Sequence, residues 1–140
     1  MTLTQNAKLF KLKDAQTAGT SAVESDVLDM SDYSRVVLFC SCGTSNAGNF
    51  LKAQQGAQSD LSDAADLEST KVTPASNGDV AILDLLHPQE RYIRAVFVRG
   101  ASTTTGEVYA IAYGGHSKPV SQTRSGYVAE AHATPDEGTA

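Results

Sequence analysis

No segment of this 140-residue chain repeats apolar side chains at the 3.6-residue period of a helix. The apolar residues come instead in short β-type runs, each closed by a turn cluster. The strongest run is 34–42, β-branched and apolar, ended by Gly43-Thr44-Ser45-Asn46-Ala47-Gly48. A shorter one at 23–28 ends at Asp29-Met30-Ser31-Asp32, and residues 49–55 alternate Phe50, Lys52, Gln54 against Leu51, Ala53, Gln55. A weaker run at 67–73 stops at Pro74, and Asn77-Gly78 marks the turn that follows, because both residues tolerate positive φ. Val80–Leu86, 91–99 and 107–113 complete the set, separated by His87-Pro88-Gln89-Glu90 and by residues 100–106. Residues 60–67 have room for one helical turn. About seven or eight short strands at spacings of roughly 10–15 residues predict an all-β fold, an antiparallel β-sandwich.

Composition narrows this further. Alanine accounts for 19 residues, and only 38 larger apolar side chains remain to build a core, none of them Trp. That suffices for one thin core. Net charge is −5, the opposite of the basic balance that nucleic-acid binding requires, so no nucleic-acid partner is expected. No run of 18 apolar residues is present, so no membrane partner is expected either. The first 14 residues hold no apolar run of signal-peptide length, which points to synthesis in a cytoplasm.

The charge is unevenly placed. Residues 1–13 carry Lys8, Lys11 and Lys13 with no acid, whereas 121–140 set Arg124 against Glu130, Asp136 and Glu137. We therefore expect an N-terminal arm at 1–20, a β-sandwich body at 21–120 and a C-terminal arm at 121–140. On the first arm, Lys8, Leu9, Phe10, Lys11 and Leu12 form a candidate partner-binding segment: lysines for an acidic patch, and Leu9, Phe10 and Leu12 as apolar anchors.

Two runs are apolar on both faces. In 34–42, Val36, Leu38, Cys40 and Cys42 alternate with Val37 and Phe39; in 91–99, Ile93, Ala95 and Phe97 alternate with Tyr92, Arg94, Val96 and Val98. A sandwich strand with one wet face should be polar on that side. Val37, Phe39, Tyr92 and Arg94 are therefore candidate outer-face contacts with another copy or a partner. Arg91-Tyr92-Ile93-Arg94 carries two readings: a grip on a carboxylate or anionic sugar with Tyr92 as a stacking face, or rim pairing of Arg91 and Arg99 with acids such as Asp84 or Glu107.

Chemistry-bearing motifs are sparse. The chain has no Gly-x-Ser-x-Gly elbow, no phosphate-binding Gly-x-x-x-x-Gly-Lys-Ser/Thr and no Gly-x-Gly-x-x-Gly. Asp60, Asp63 and Asp66 recur every third residue without the alternate ligands, central Gly and distal Glu of a calcium loop. Cys40 and Cys42 on one strand have Cα atoms roughly 6.6–7 Å apart, which disfavours a bridge and suits buried thiols. The histidines His87, His116 and His132 show no metal spacing relative to that pair. The expectation is a protein that is not an enzyme, with no cofactor, no metal and no catalytic residues.

The order of runs carries a resemblance. Asp29-Met30-Ser31-Asp32-Tyr33-Ser34-Arg35-Val36 leads into a long apolar strand, Pro88-x-x-Arg91-Tyr92-Ile93-Arg94-Ala95-Val96-Phe97-Val98-Arg99-Gly100 follows, and Gly106-Glu107-Val108-Tyr109-Ala110-Ile111-Ala112-Tyr113-Gly114 runs on to Lys118-Pro119-Val120. This resembles the small capsid decoration, or cement, proteins of tailed bacteriophages over roughly residues 29–120. The resemblance implies a jelly-roll-like sandwich that binds the major capsid protein and bridges neighbouring capsomers. It implies a homo-oligomer, a homotrimer first and a dimer second, on the virion capsid surface. The Arg-Tyr-Ile-Arg strand is also similar to one in galactose-binding-like carbohydrate modules, which implies a carbohydrate-binding alternative, although the exposed tryptophans of many such modules are missing.

Overall fold

The alternation that predicts strands does produce them. The computed structural model describes residues 2–122, 128–131, 133 and 137–138. In chain order its elements are α1 (Leu3–Asn6), β1 (Lys8–Lys13), β2 (Gln16–Gly19), β3 (Val23–Glu24), β4 (Leu28–Asp29), β5 (Arg35–Ser41), β6 (Asn49–Gly56), β7 (Ala65–Asp66), β8 (Val80–Leu86), β9 (Tyr92–Arg99), β10 (Thr103–Thr105) and β11 (Val108–Tyr113).

Pairing is antiparallel and nested. β1 pairs with β11, β2 with β10, β3 and β4 with β9, β5 with β8, and β6 with β7. The chain thus behaves as one long hairpin whose apex lies between β6 and β7. Two lateral pairings, β11 with β5 and β9 with β6, gather these ladders into sheets. One sheet has four strands in the order β1-β11-β5-β8; another is ordered β3-β9-β6-β7 with β4 also on β9; β10 and β2 form a small third sheet. None of them closes on itself. The result is all-β and sandwich-like.

The two larger sheets share one core. Val36, Leu38 and Cys40 from β5, Val108, Ala110 and Ala112 from β11, and Ala81 and Leu83 from β8 join Leu51 and Ala53 from β6 and Ile93, Ala95 and Phe97 from β9. These are alternate residues on each strand, as a pleated strand with one buried face requires.

One end of the sandwich is pinned by polar groups. Arg99 is buried, and its guanidinium donates to the carbonyls of Ser21 (2.6 Å), Thr17 (2.8 Å) and Thr103 (3.0 Å). Rim pairing with Asp84 or Glu107 is therefore corrected: Arg99 satisfies backbone carbonyls of the β2 and β10 region. Opposite it in register, Asn49 is fully buried; its amide donates to Thr44 O (3.0 Å), and its carbonyl accepts from Ala101 N (2.9 Å). The neighbouring chains approach so closely that a Cβ on Gly100 would lie 2.7 Å from Gly48 O. Only glycine fits there.

Several sequence expectations are corrected. The single strand at 23–28 is two short ones, because Asp26 N turns away to Leu12 O (2.8 Å) while Ser25 Oγ takes over as acceptor for Ala95 N (2.9 Å). At 67–73 there is one bridge, Val72 with Leu51, and the regular strand is β7 at Ala65–Asp66, inside the segment expected to form a helical turn. Residues 100–106, expected as a plain separator, contain β10.

The largest difference is at the N-terminus. The expected arm at 1–20 holds α1, β1 and β2, and β1 is an edge strand of the four-stranded sheet, with Leu12 buried and Phe10 packed against the core. A segment of lysines and leucines without helical period satisfies its backbone groups on β11, a partner some hundred residues away that local sequence does not disclose. The expected C-terminal arm begins by folding back: Val120 N donates to Gln5 O (2.8 Å), and Gln122 Nε2 donates to Thr4 O (2.7 Å) and Ala7 O (2.6 Å). Residues 123–127, 132, 134–136, 139 and 140 of that arm lie outside the described residues.

Two stability outcomes follow from this arrangement. Deleting residues 1–13 strips β11 of a partner and is expected to abolish cooperative thermal unfolding by circular dichroism; an unchanged melting temperature would count against an integral β1. Arg99→Met leaves three carbonyls unpaired and is expected to cost about 3 kcal/mol in urea denaturation, with little change in m.

Candidate functional site

Strand parity decides what the four-stranded sheet shows to solvent. With Val36, Leu38 and Cys40 facing the core, Val37 and Phe39 must face out. Cross-strand register then sets the outer rows: Leu9, Ile111, Val37 and Asp84 in one, and Lys11, Tyr109, Phe39 and Ile82 in the next. Tyr113, Arg35 and Leu86 flank them on one side, and Ser41 and Val80 on the other. The outer face is therefore apolar across all four strands. Phe39 and Tyr109 rings pack at 5.6 Å between centroids in its middle. On β8, Val80, Ile82 and Leu86 are 51%, 59% and 65% exposed. A contiguous apolar patch of this kind marks an interaction surface far more often than scattered apolar residues do.

Polar groups rim the patch. Lys11 Nζ meets Asp14 at 2.7 Å, and Tyr113 OH donates to Asp84 Oδ1 at 3.0 Å. The hydrogen bond to Asp84 holds the Tyr113 phenol above its ordinary pKa. The Arg35 guanidinium lies 5.9 Å from the Tyr113 ring centroid. At the same end a groove of about 490 Å³ is lined by Leu3, Ala7, Val37 and Ile111 with Asn6, Arg35, Tyr113, Gly114 and Lys118.

The other large sheet is different outside. Arg94, an expected contact residue, is only 18% exposed and donates to Gln54 Oε1 (2.8 Å) and Glu24 Oε2 (3.1 Å). Lys52 and Gln54 both reach Asp66, each at 2.7 Å. Val96 is buried between its cross-strand neighbours Glu24 and Lys52. Of this second double-sided strand's outer apolar residues, Val96 is thus buried among the chain's own polar side chains, whereas Tyr92 and Val98 are half-buried. Arg91 makes a two-point contact with Asp29 (Nε 3.0 Å, Nη2 2.9 Å) and lies 5.1 Å from the Tyr92 ring. Both guanidinium groups of the Arg-Tyr-Ile-Arg segment are engaged within the chain.

The expected partner segment is divided by β1's pleat. Leu9 and Lys11 stand on the outer face, whereas Leu12 belongs to the core and Phe10 packs against it, with Lys8 Nζ 5.5 Å from the Phe10 ring centroid. The structure brings Leu9 and Lys11 together with Val37 and Phe39 on one surface; Tyr92 and Arg94 lie on the other sheet. The sequence reading missed Val80, Ile82 and Leu86. Their signal is a run, Val80-Ala81-Ile82-Leu83-Asp84-Leu85-Leu86, apolar at both parities save for one acid.

The remaining reactive groups have structural surroundings. Cys40 and Cys42 are free and buried, and burial pushes the Cys40 thiol up to about 12, aided by Cys42 and Glu107. Asp60 caps Ser62 N (2.9 Å), and Asp63 accepts from Ala57 N (2.8 Å) and Gln58 N (3.2 Å), so these carboxylates order their own loop. Among the described residues no three His, Cys, Asp or Glu side chains gather where a metal would sit, and no helix is long and apolar enough to cross a membrane. His132 lies outside the described residues. No protein-family model matches the chain, and no curated protein matches its sequence.

The Arg91–Asp29 pair yields a pH signature. The hydrogen bond from Arg91 holds the Asp29 carboxyl at about 2, below the ordinary 3.8. A depressed carboxyl stabilises the fold above its unfolded pKa and loses that contribution as pH falls toward 2. With the side chains 56% and 44% exposed, solvent screening limits the pair to under about 1 kcal/mol. Arg91→Ala is expected to lower the urea midpoint slightly at pH 6, and the gap to wild type should close between pH 4 and 2. A gap that keeps its size at low pH would contradict the assignment.

Proposed function

We propose that this chain is a structural virion protein that decorates and cements a capsid shell. It acts from the capsid surface, binding the major capsid protein and bridging neighbouring capsomers as a homo-oligomer. The observation that carries this reading is the four-strand apolar outer face, built on a rigid sheet and edged with lysine, arginine and aspartate. A cementing protein works through such a surface: apolar area supplies the attraction and the charged rim supplies orientation. The shell contact moves accordingly, from a flexible arm to Leu9, Lys11, Val37, Phe39, Tyr109 and Ile111 on the sheet.

The fold proposed with it is a jelly roll. Its support is the nested pairing, first strand with last and second with second-last, distributed alternately over two sheets. With β3 and β4 taken as one interrupted strand and β2 and β10 as an accessory pair, eight strands remain, arranged as a long hairpin wrapped on itself.

Introducing charge on the face, away from the β8 edge, tests the reading. Leu9→Lys combined with Ile111→Lys is expected to lower occupancy on shells of major capsid protein at least tenfold in co-sedimentation, while far-ultraviolet circular dichroism is unchanged. Wild-type occupancy by the folded variant would sink the proposal.

A further inference from the structure

The two edges of the four-stranded sheet are treated very differently. β1 carries Lys8, Lys11 and Lys13, and its register with β11 shifts between Lys11 and Lys13. Its outward backbone is also occupied, since Leu9 N donates to Gln122 Oε1 (3.1 Å) and Leu12 O accepts from Asp26 N (2.8 Å). Lysines, a bulge and a covering segment are the devices by which proteins blunt an edge strand.

Among the described residues β8 has none of these. It runs seven residues in unbroken register with β5, from Leu86 opposite Arg35 to Val80 opposite Ser41, without proline or lysine. At the ladder's ends His87 N donates to Ser34 O (2.8 Å) and Cys42 N donates to Asp79 O (3.0 Å). Backbone direction alternates along an antiparallel strand. Ala81, Leu83 and Leu85 therefore turn their N–H and C=O groups to β5, and Val80, Ile82, Asp84 and Leu86 turn theirs away. No strand among the described residues pairs with that second edge.

We infer that β8 pairs antiparallel with β8 of a second copy about a twofold axis, joining two four-stranded sheets into one continuous eight-stranded sheet. This deepens the self-association in the reading above and rests on that part of it. A register centred on Leu83 sets Val80 opposite Leu86 and Ile82 opposite Asp84 of the other copy, allowing up to about eight new backbone hydrogen bonds. That register keeps the two Asp84 carboxylates off direct opposition, where like charges repel. The occupant is a second copy because the strand is complementary to itself: its outward residues are three apolar side chains and one acid, and every outward N–H meets an outward C=O. The blunted β1 edge closes the head-to-tail route, in which β8 would pair with β1 and propagate a ring or fibre. A single bare edge used isologously stops at two copies. This selects the dimer over the trimer implied by the resemblance.

The pairing also links assembly to the proposed role. Side chains at 80, 82, 84 and 86 lie on the outer apolar face, so the joined sheets present two copies of that face side by side. Once one face has docked, the second binds as an effectively intramolecular partner. A twofold pair therefore suits the bridging of two neighbouring capsomers.

Light scattering on the full chain at concentrations from about 1 to 500 µM, with amide exchange on the same samples, tests the inference. Wild type is expected to reach twice the 14.7 kDa chain mass, with the amides of Ile82, Asp84 and Leu86 protected in the dimer and exchanging at least tenfold faster on dilution to monomer. Ile82→Pro removes an N–H that does not serve β5 and is expected to give a folded monomer. Ile82→Glu is the second variant; it sets like charges opposite each other at 82 and Asp84 of the other copy and should weaken dimerisation at least tenfold. A dimer that persists in both variants, or one whose β8 amides stay unprotected, overturns the edge pairing. So does a wild-type monomer at 500 µM, including one whose β8 amides become protected only on shells, which would assign the edge to a shell-protein strand. A protected dimer that fails to sediment with shells would instead overturn the decoration reading and leave the edge pairing standing.

Discussion

One shared apolar core between two antiparallel sheets is the constraint on which the rest of the molecule depends. Leu38 and Val36 from one sheet and Leu51, Ile93 and Phe97 from the other are wholly buried in it. Each such side chain contributes about 1.5–3 kcal/mol relative to an exposed state. Because the pairing is nested, both sheets draw strands from both halves of the chain. Neither half can bury its apolar face alone. The core therefore holds the outer faces in place, and parity about the core decides which side chains reach solvent.

The two sheets use that parity differently. The β9 sheet ties its outer face together with Arg94, Gln54, Lys52, Glu24 and Asp66, and Val96 is buried among them. The β5 sheet leaves Phe39, Ile82 and Leu86 on a face with charges only at the rim. The same asymmetry extends to the edges, blunted at β1 and bare at β8. One sheet's outer face is thus crossed by the chain's own ion pairs and hydrogen bonds, and the other keeps large apolar side chains exposed along β8.

Local pattern made much of the fold legible. The run Val80–Leu86 was bounded by Asn-Gly on one side and His-Pro on the other, and it coincides with β8. The double-sided character of the run at 34–42 pointed to Val37 and Phe39, which do stand on the outer apolar face. Turn chemistry and period-2 alternation are properties of neighbouring residues, so they survive without knowledge of the partner strand. The same reasoning did not foresee that Arg94 is engaged within the chain, because Glu24 and Gln54 reach it only after β3 and β6 flank β9. It also mistook β1 for an arm, since Leu12 has a core to enter only when β11 lies beside it.

The sequence by itself determined that the chain is built of short antiparallel strands, that its core is thin, and that some strands are apolar on both faces. Each of these follows from residue type and spacing within a few positions. Tertiary structure alone decided which double-sided strand is crossed by ion pairs within the chain, that the lysine-rich N-terminus is sheet and not arm, and that β8 is an edge while β5 is central. Those outcomes depend on pairings between residues tens to a hundred positions apart. Backbone hydrogen bonds, which carry no sequence label, are satisfied equally well by any strand that topology brings alongside.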